Sequence, residues 1–243
     1  MNALNEIIKL LESAGSESNR KGMQHYGIAT DKALGVPLPF IRKLSIEYRM
    51  NHNLALQLWE TGIHEARMLA TMVDDPAKVT KTQMDEWVRD FNSWDICDQC
   101  CSNLFDKTPF AVDKIYEWTD SEHEFVRRAG FVMIACLAVH DKKRNDASFR
   151  EFLPLIIQHA TDPRNFVRKA VNWALRQIGK RNLALYAEAL QLSKAMMNSD
   201  DRTARWIGSN AHRELMGQTA INRMKRNQLN KEIRNVIRNK KKK

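Results

Sequence analysis

Apolar and polar positions alternate at helical spacing along most of the chain. Stepping 100° per residue from Pro163 to Gly179 gathers Phe166, Val167, Ala170, Val171, Ala174 and Ile178 on one arc. Lys169, Trp173 and Arg176 fall on a narrow strip beside that arc. The segment that begins near Ser93 reads the same way. Ile96, Cys97, Cys100 and Leu104 form its apolar side, while Trp94 and Asp98 share one edge with Asp95 next to them. No stretch shows the period-2 alternation of a strand, so every predicted element is a helix. Punctuation agrees: Thr108-Pro109 and Asp162-Pro163 read as helix starts, and Ser121-x-x-Glu124 reads as a capping box. Val36-Pro37-Leu38-Pro39 breaks the chain before a helix expected over 40–48.

Four segments resemble one another: His64-Glu-Ala-Arg67, Glu124-Phe-Val-Arg127, Asn165-Phe-Val-Arg168 and Arg202-Thr-Ala-Arg205. Their arginines are 60, 41 and 37 residues apart. The first gap has room for one further unit near Asn92-Ser-Trp-Asp95, where the match is weak. Units of about 40 residues, each a helix pair, are the signature of HEAT-like repeats. The expected fold is therefore all-α, with the repeats stacked in a curved right-handed α-α superhelix. The expected organisation is one repeat body over 1–220 and a basic, partly disordered tail over 221–243.

Composition changes this picture mainly through charge. The net charge is +10, but Ile221 to Lys243 holds ten Lys or Arg against the single acid Glu232, leaving the body almost neutral. Such a tail either adds salt-sensitive attraction to phosphates or simply solubilises the end. The longest apolar run, Ala129 to Val139, has 11 residues, too few for a bilayer span. The N-terminal MNALNEIIKLLESAG lacks the pattern of a secretory leader. Cys97, Cys100 and Cys101 crowd into five residues, with Cys136 apart from them. That spacing suits buried thiols in a reduced compartment better than a disulfide framework or a zinc site, since no second ligand pair is present. The seven histidines show no ligand spacing, and no glycine-rich phosphate loop is present.

Two edges carry candidate chemistry. Trp173 between Lys169 and Arg176 suits a phosphate and a sugar, or is a core indole covered by its neighbours. Asp98 beside Trp94 can stabilise a developing cation, or is a salt-bridged acid near a helix start. Arg128 aligns with Lys169 one unit earlier, so successive units can project cations to one side.

Together these residues resemble the AlkD-type DNA alkylation-repair glycosylases, the HEAT-like-repeat family of DNA glycosylases. The likeness runs from Tyr26 to Leu215. It rests on Gly35-Val-x-x-Pro39, Ser93-Trp-Asp-x-x-Asp98, Val126-Arg-Arg-Ala129 and Val167-Arg-Lys-Ala-x-x-Trp-x-Leu-Arg176. The resemblance implies a monofunctional glycosylase that hydrolyses the N-glycosidic bond of N3- or N7-alkylated purines in double-stranded DNA. It implies no cofactor and no metal. Asp98 matches the catalytic aspartate, and Trp94 and Trp173 match tryptophans that hug the lesion's deoxyribose. Arg128 and Arg176 match cations that hold the backbone, and Tyr26 matches an N-terminal tyrosine that contacts DNA; Lys169 joins them from the helical strip. A monomer in the cytoplasm, associated with the nucleoid and not with a membrane, is expected. Two positions depart from the family pattern: Ser93 replaces a second tryptophan, and Pro37 replaces a glutamine. Paralogues in the family bind unusual DNA without excision, so non-catalytic binding of distorted or branched DNA is the alternative. A protein-binding helical scaffold is the third reading.

Overall fold

The computed structural model describes residues 3–240. Among them are fifteen α-helices and no strand. The first stretch holds α1 (Ala3–Ala14), α2 (Glu17–His25), α3 (Leu38–Ser45), α4 (His52–Glu60) and α5 (His64–Val73). It continues with α6 (Lys81–Arg89), α7 (Trp94–Asn103), a 3-10 turn (Phe105–Lys107), α8 (Ala111–Thr119) and α9 (Glu124–His140). Then come α10 (Asp146–Arg150), α11 (Leu153–Gln158), α12 (Asn165–Gly179), α13 (Leu183–Met197), α14 (Arg202–Leu215) and α15 (Gln218–Lys240). The chain divides into two compact units, Met1–Ala129 and Gly130–Lys243, with the boundary inside α9.

The first unit is built around α5, against which α3, α4 and α7 pack. An aromatic column runs through its core. Trp59 and Trp87 stack with ring centroids 4.0 Å apart, and Phe105 links Trp87 to Trp118. The indole N–H groups are satisfied rather than buried bare: Trp59 donates to Asp90 at 2.8 Å and Trp118 to Asp85 at 3.2 Å. In the second unit α12, α13 and α14 pack on one another. Gly208 permits the close approach there, because a Cβ would lie 2.6 Å from both the Met197 amide nitrogen and the Ser193 carbonyl oxygen.

The helical arcs read from the sequence are buried, except for Phe166, which is only half-buried at the start of α12. Val167, Ala170, Val171, Ala174 and Ile178 are fully enclosed, as are Cys97, Cys100 and Leu104. Helix starts shift by one or two residues. α8 begins at Ala111 rather than Pro109, since the Thr108 hydroxyl donates back to the Phe105 carbonyl instead of capping. Asp162 and Ser121 each accept the amide two residues on, from Arg164 and His123, and close a turn just ahead of the helix. α3 runs over 38–45, with Pro37 as its N-cap. Of the tail set apart over 221–243, residues 221–240 are helical within α15, and 241–243 lie outside the described residues. Near the start of α15 Ala220 and Met224 are buried, and the Asn227 amide donates to the Lys180 carbonyl at 2.8 Å.

The repeat arginines turn out to be hairpin clasps. Arg67 donates to the Trp59 carbonyl at 3.3 Å, Arg127 to the Asp120 carbonyl at 3.5 Å, and Arg205 to the Ser199 and Asp200 carbonyls at 2.8 and 2.7 Å. Trp59 and Asp120 lie at the end of the preceding helix, where carbonyls lack intrahelical partners and the helix dipole is negative, and Ser199 and Asp200 lie just past it. Arg168 differs: it bonds Asn165 and lies 4.7 Å over the Trp206 ring. Arg67 also pairs with Asp90 at 2.9 Å. Arg67→Met is expected to cost about 1–2 kcal/mol in urea denaturation, the worth of charged-group hydrogen bonds lost. DNA affinity should stay unchanged, since the guanidinium is spent on Trp59 and Asp90.

Candidate functional site

Three of the six tryptophans, Trp59, Trp87 and Trp118, are core residues, whereas Trp94, Trp173 and Trp206 are only half-buried. The two tryptophans singled out by the motifs thus belong to the accessible class. In the first unit Trp94 opens α7, and its indole N–H donates to the Tyr26 carbonyl at 3.0 Å. Tyr26 itself is 70% exposed. Beside Trp94 lies a groove of about 460 Å³ walled by Met23, Ile28, Val36, Leu38 and Met68.

Asp98 follows one turn along α7, half-buried, with 16% of its side chain exposed. Arg128 of α9 grips it in a fork, with Nε donating to Oδ1 at 3.0 Å and an Nη to Oδ2 at 2.9 Å. Burial pushes the Asp98 carboxyl above its ordinary value, and Arg128 opposes that shift without cancelling it. Arg128 was expected as an open cation for phosphates. It is instead buried, with 5% exposure, and committed to Asp98. The difference arises because its partner lies 30 residues away in sequence.

In the second unit Lys169 is exposed and Trp173 half-buried on α12. Arg176, also half-buried, pairs with Glu214 of α14, as does Lys180. Burial raises the Glu214 carboxyl, but Lys180 and Arg176 outweigh it and hold the group below its ordinary value. The structure therefore groups Tyr26, Trp94, Asp98 and Arg128 in the first unit, and Lys169, Trp173 and Arg176 in the second.

Sequence reasoning missed the supports behind α7. Glu65, 1% exposed, accepts the amides of Leu34, Gly35 and Val36 at 2.9, 2.7 and 3.2 Å. Gly35 sits at φ +78°, and a Cβ there would lie 2.1 Å from the Ser16 carbonyl oxygen, so the glycine of the N-terminal motif is a backbone requirement. Its signal was available: Glu65 occupies the repeat position held by Phe125 and Phe166 in later units. Asp95 is a second such support. Its Oδ2 accepts His64 Nε2–H at 2.8 Å, and its Oδ1 accepts the Ser93 hydroxyl at 2.7 Å and the Ile96 amide at 2.9 Å. Burial raises the Asp95 carboxyl, but these donors, His64 foremost, bring it below its ordinary value. Ser93 is fully buried, and its hydroxyl is spent on Asp95.

The four cysteines are free and buried. Among the described residues no cluster of three His, Cys, Asp or Glu is arranged to hold a metal ion, and no helix is long and apolar enough to cross a membrane.

Comparison with known proteins places these features in a family. The model of the DNA alkylation repair enzyme family matches residues 7–223. No curated protein sequence matches the chain. One solved structure, of a protein from a family related to the HEAT-like repeat DNA glycosylases with affinity for branched DNA structures, superposes with a TM-score of 0.73. At 18% identity over 88% of this chain and 96% of that one, it shows a shared fold. An engineered protein, 13% identical over 89% of this chain and 99% of its own, reaches a TM-score of only 0.35. With the family model spanning most of its length, the chain belongs to the DNA alkylation repair enzyme family.

Proposed function

We propose that the chain excises N3- or N7-alkylated purines from double-stranded DNA by hydrolysing the N-glycosidic bond. The observation that carries the reading is Asp98 one helical turn from the accessible Trp94, with the carboxylate held in a fork by Arg128. Alkylation at N3 or N7 places a formal positive charge on the base. When the bond to C1′ breaks, its electron pair neutralises that charge and the base leaves uncharged. The cation left on the sugar needs a fixed negative group and an electron-rich face. A carboxylate has about four lone-pair positions, of which Arg128 takes two, so Asp98 keeps acceptor capacity for the sugar and the attacking water. Water adds its hydroxyl to C1′, and its remaining proton passes to bulk solvent. The role assigned to Trp173, packing on the deoxyribose, belongs to this proposal and rests on the motif around it.

Excision is tested by incubating methylated duplex DNA with the wild-type chain and assaying free 3-methyladenine or 7-methylguanine. Arg128 also favours a second reading. A carboxylate already satisfied by a buried guanidinium is a structural ion pair, and the protein would then bind distorted or branched DNA without cutting the bond. Tight binding with no free base released would decide for that reading.

Both readings expect phosphate contacts from α15. Truncation at Ile221 would also strip the buried Met224 from the fold, so substitution is the cleaner test. Lys225 and Arg226 are both exposed. Changing both to Gln should flatten the slope of log Kobs against log salt by about 0.9 for each cation that meets a phosphate, without altering lesion preference. An unchanged slope would remove this part of α15 from the interface.

A further inference from the structure

We propose that His64 and Asp95 form a positioning pair that sets the first turn of α7, and through it the places of Trp94 and Asp98; the catalytic part of this rests on the excision reading. α7 begins without a side-chain cap from Ser93. The free amides of a helix start need an acceptor, and Asp95 supplies one from inside the first turn by taking the Ile96 N–H at 2.9 Å. Its remaining capacity goes to the Ser93 hydroxyl and to His64 Nε2–H. Asp95 and His64 are both buried, at 8% and 6% exposure.

The other end of this connection is equally fixed. The His64 amide donates to the Lys32 carbonyl at 3.0 Å, and the next residue, Glu65, grips the Gly35 loop through three amides. Two consecutive residues at the start of α5 thus hold the Gly35 loop on one side and α7 on the other. Trp94 lies between Ser93 and Asp95, both immobilised, and its indole N–H is tied to the Tyr26 carbonyl. A carboxylate and an indole that must meet a transient cation need placement within a fraction of an ångström, and a displacement of about 1 Å can cost about 10²-fold in rate.

The test compares His64→Leu, which removes the donor to Asp95, with His64→Gln, which can restore it. Chains labelled with 5-fluorotryptophan report the Trp94 environment by ¹⁹F NMR, the resonance being assigned by its loss in Trp94→Phe. His64→Leu is expected to shift that resonance and lower single-turnover excision by roughly tenfold to 10²-fold. DNA Kd should stay within about twofold. His64→Gln should recover both the resonance and the rate. If His64→Leu does not fold, Asp95→Asn serves: it keeps the acceptor for Ile96 but loses the charged partner of His64, and must shift the same resonance. A wild-type resonance with wild-type excision in the variant would overturn the proposal, and so would an equal loss in Leu and Gln variants. If the wild type excises nothing, the excision reading fails by itself. The resonance alone then decides, a shift supporting the positioning of Trp94 and none overturning it.

Discussion

Asp98→Asn is expected to lower single-turnover excision by about 10²-fold or more while leaving affinity for methylated duplex DNA within a few-fold. The amide matches the carboxylate in shape, so the groove beside Trp94 is not reshaped. What disappears is the negative charge beside the sugar when C1′ becomes cationic. The substitution also leaves the buried Arg128 without its ionic partner, so thermal unfolding must be followed alongside. A folded Asp98→Asn chain that excises at the wild-type rate would remove Asp98 from the chemistry.

Arg128→Met should produce the largest stability change, a loss of about 3–5 kcal/mol, typical of removing one partner from a buried ion pair. For a chain of this length that lowers the thermal midpoint by about 10 °C. The loss depends on pH with a definite sign. Burial already pushes Asp98 above the ordinary carboxylate value, and without Arg128 nothing comparable opposes it. A carboxyl whose folded pKa is raised is penalised in its ionised form. The penalty is present above the folded pKa and is relieved as pH falls through it. The gap between wild type and Arg128→Met, measured by urea denaturation, should therefore narrow from pH 7 to pH 5. A gap that widened on acidification would mean that Arg128 stabilises the fold by some route other than Asp98.

What the sequence revealed follows from the range over which each signal acts. A helix face is local, so the enclosed arc of Val167, Ala170, Val171, Ala174 and Ile178 could be read by stepping around a wheel. The shared edge of Trp94 and Asp98 is local too. Partners across helices are not. Arg128 finds Asp98, and Arg176 finds Glu214, over 30 and 38 residues, and charge alone cannot distinguish a cation awaiting phosphate from one already paired. The repeat arginines show the same limit in milder form. Their recurrence marked the units, but the acceptors of Arg67, Arg127 and Arg205, carbonyls at or just past the end of the preceding helix, follow only once each hairpin closes.

Glu65 was legible in principle. A carboxylate in a slot held by phenylalanine in two later units must find partners for its charge, and the amides around Gly35 are those partners. The anchoring of α15 was not legible from charge: Met224 is buried, and Asn227 reaches the Lys180 carbonyl 47 residues back.

The most direct test of the central claim is the fate of the glycosidic bond itself in a methylated duplex bound by the wild-type chain. The reading given to Asp98 and Trp94 predicts free 3-methyladenine or 7-methylguanine and an equal number of abasic sites, with none from unmethylated DNA. A protein that saturates the same duplex yet leaves every alkylated base attached would contradict it.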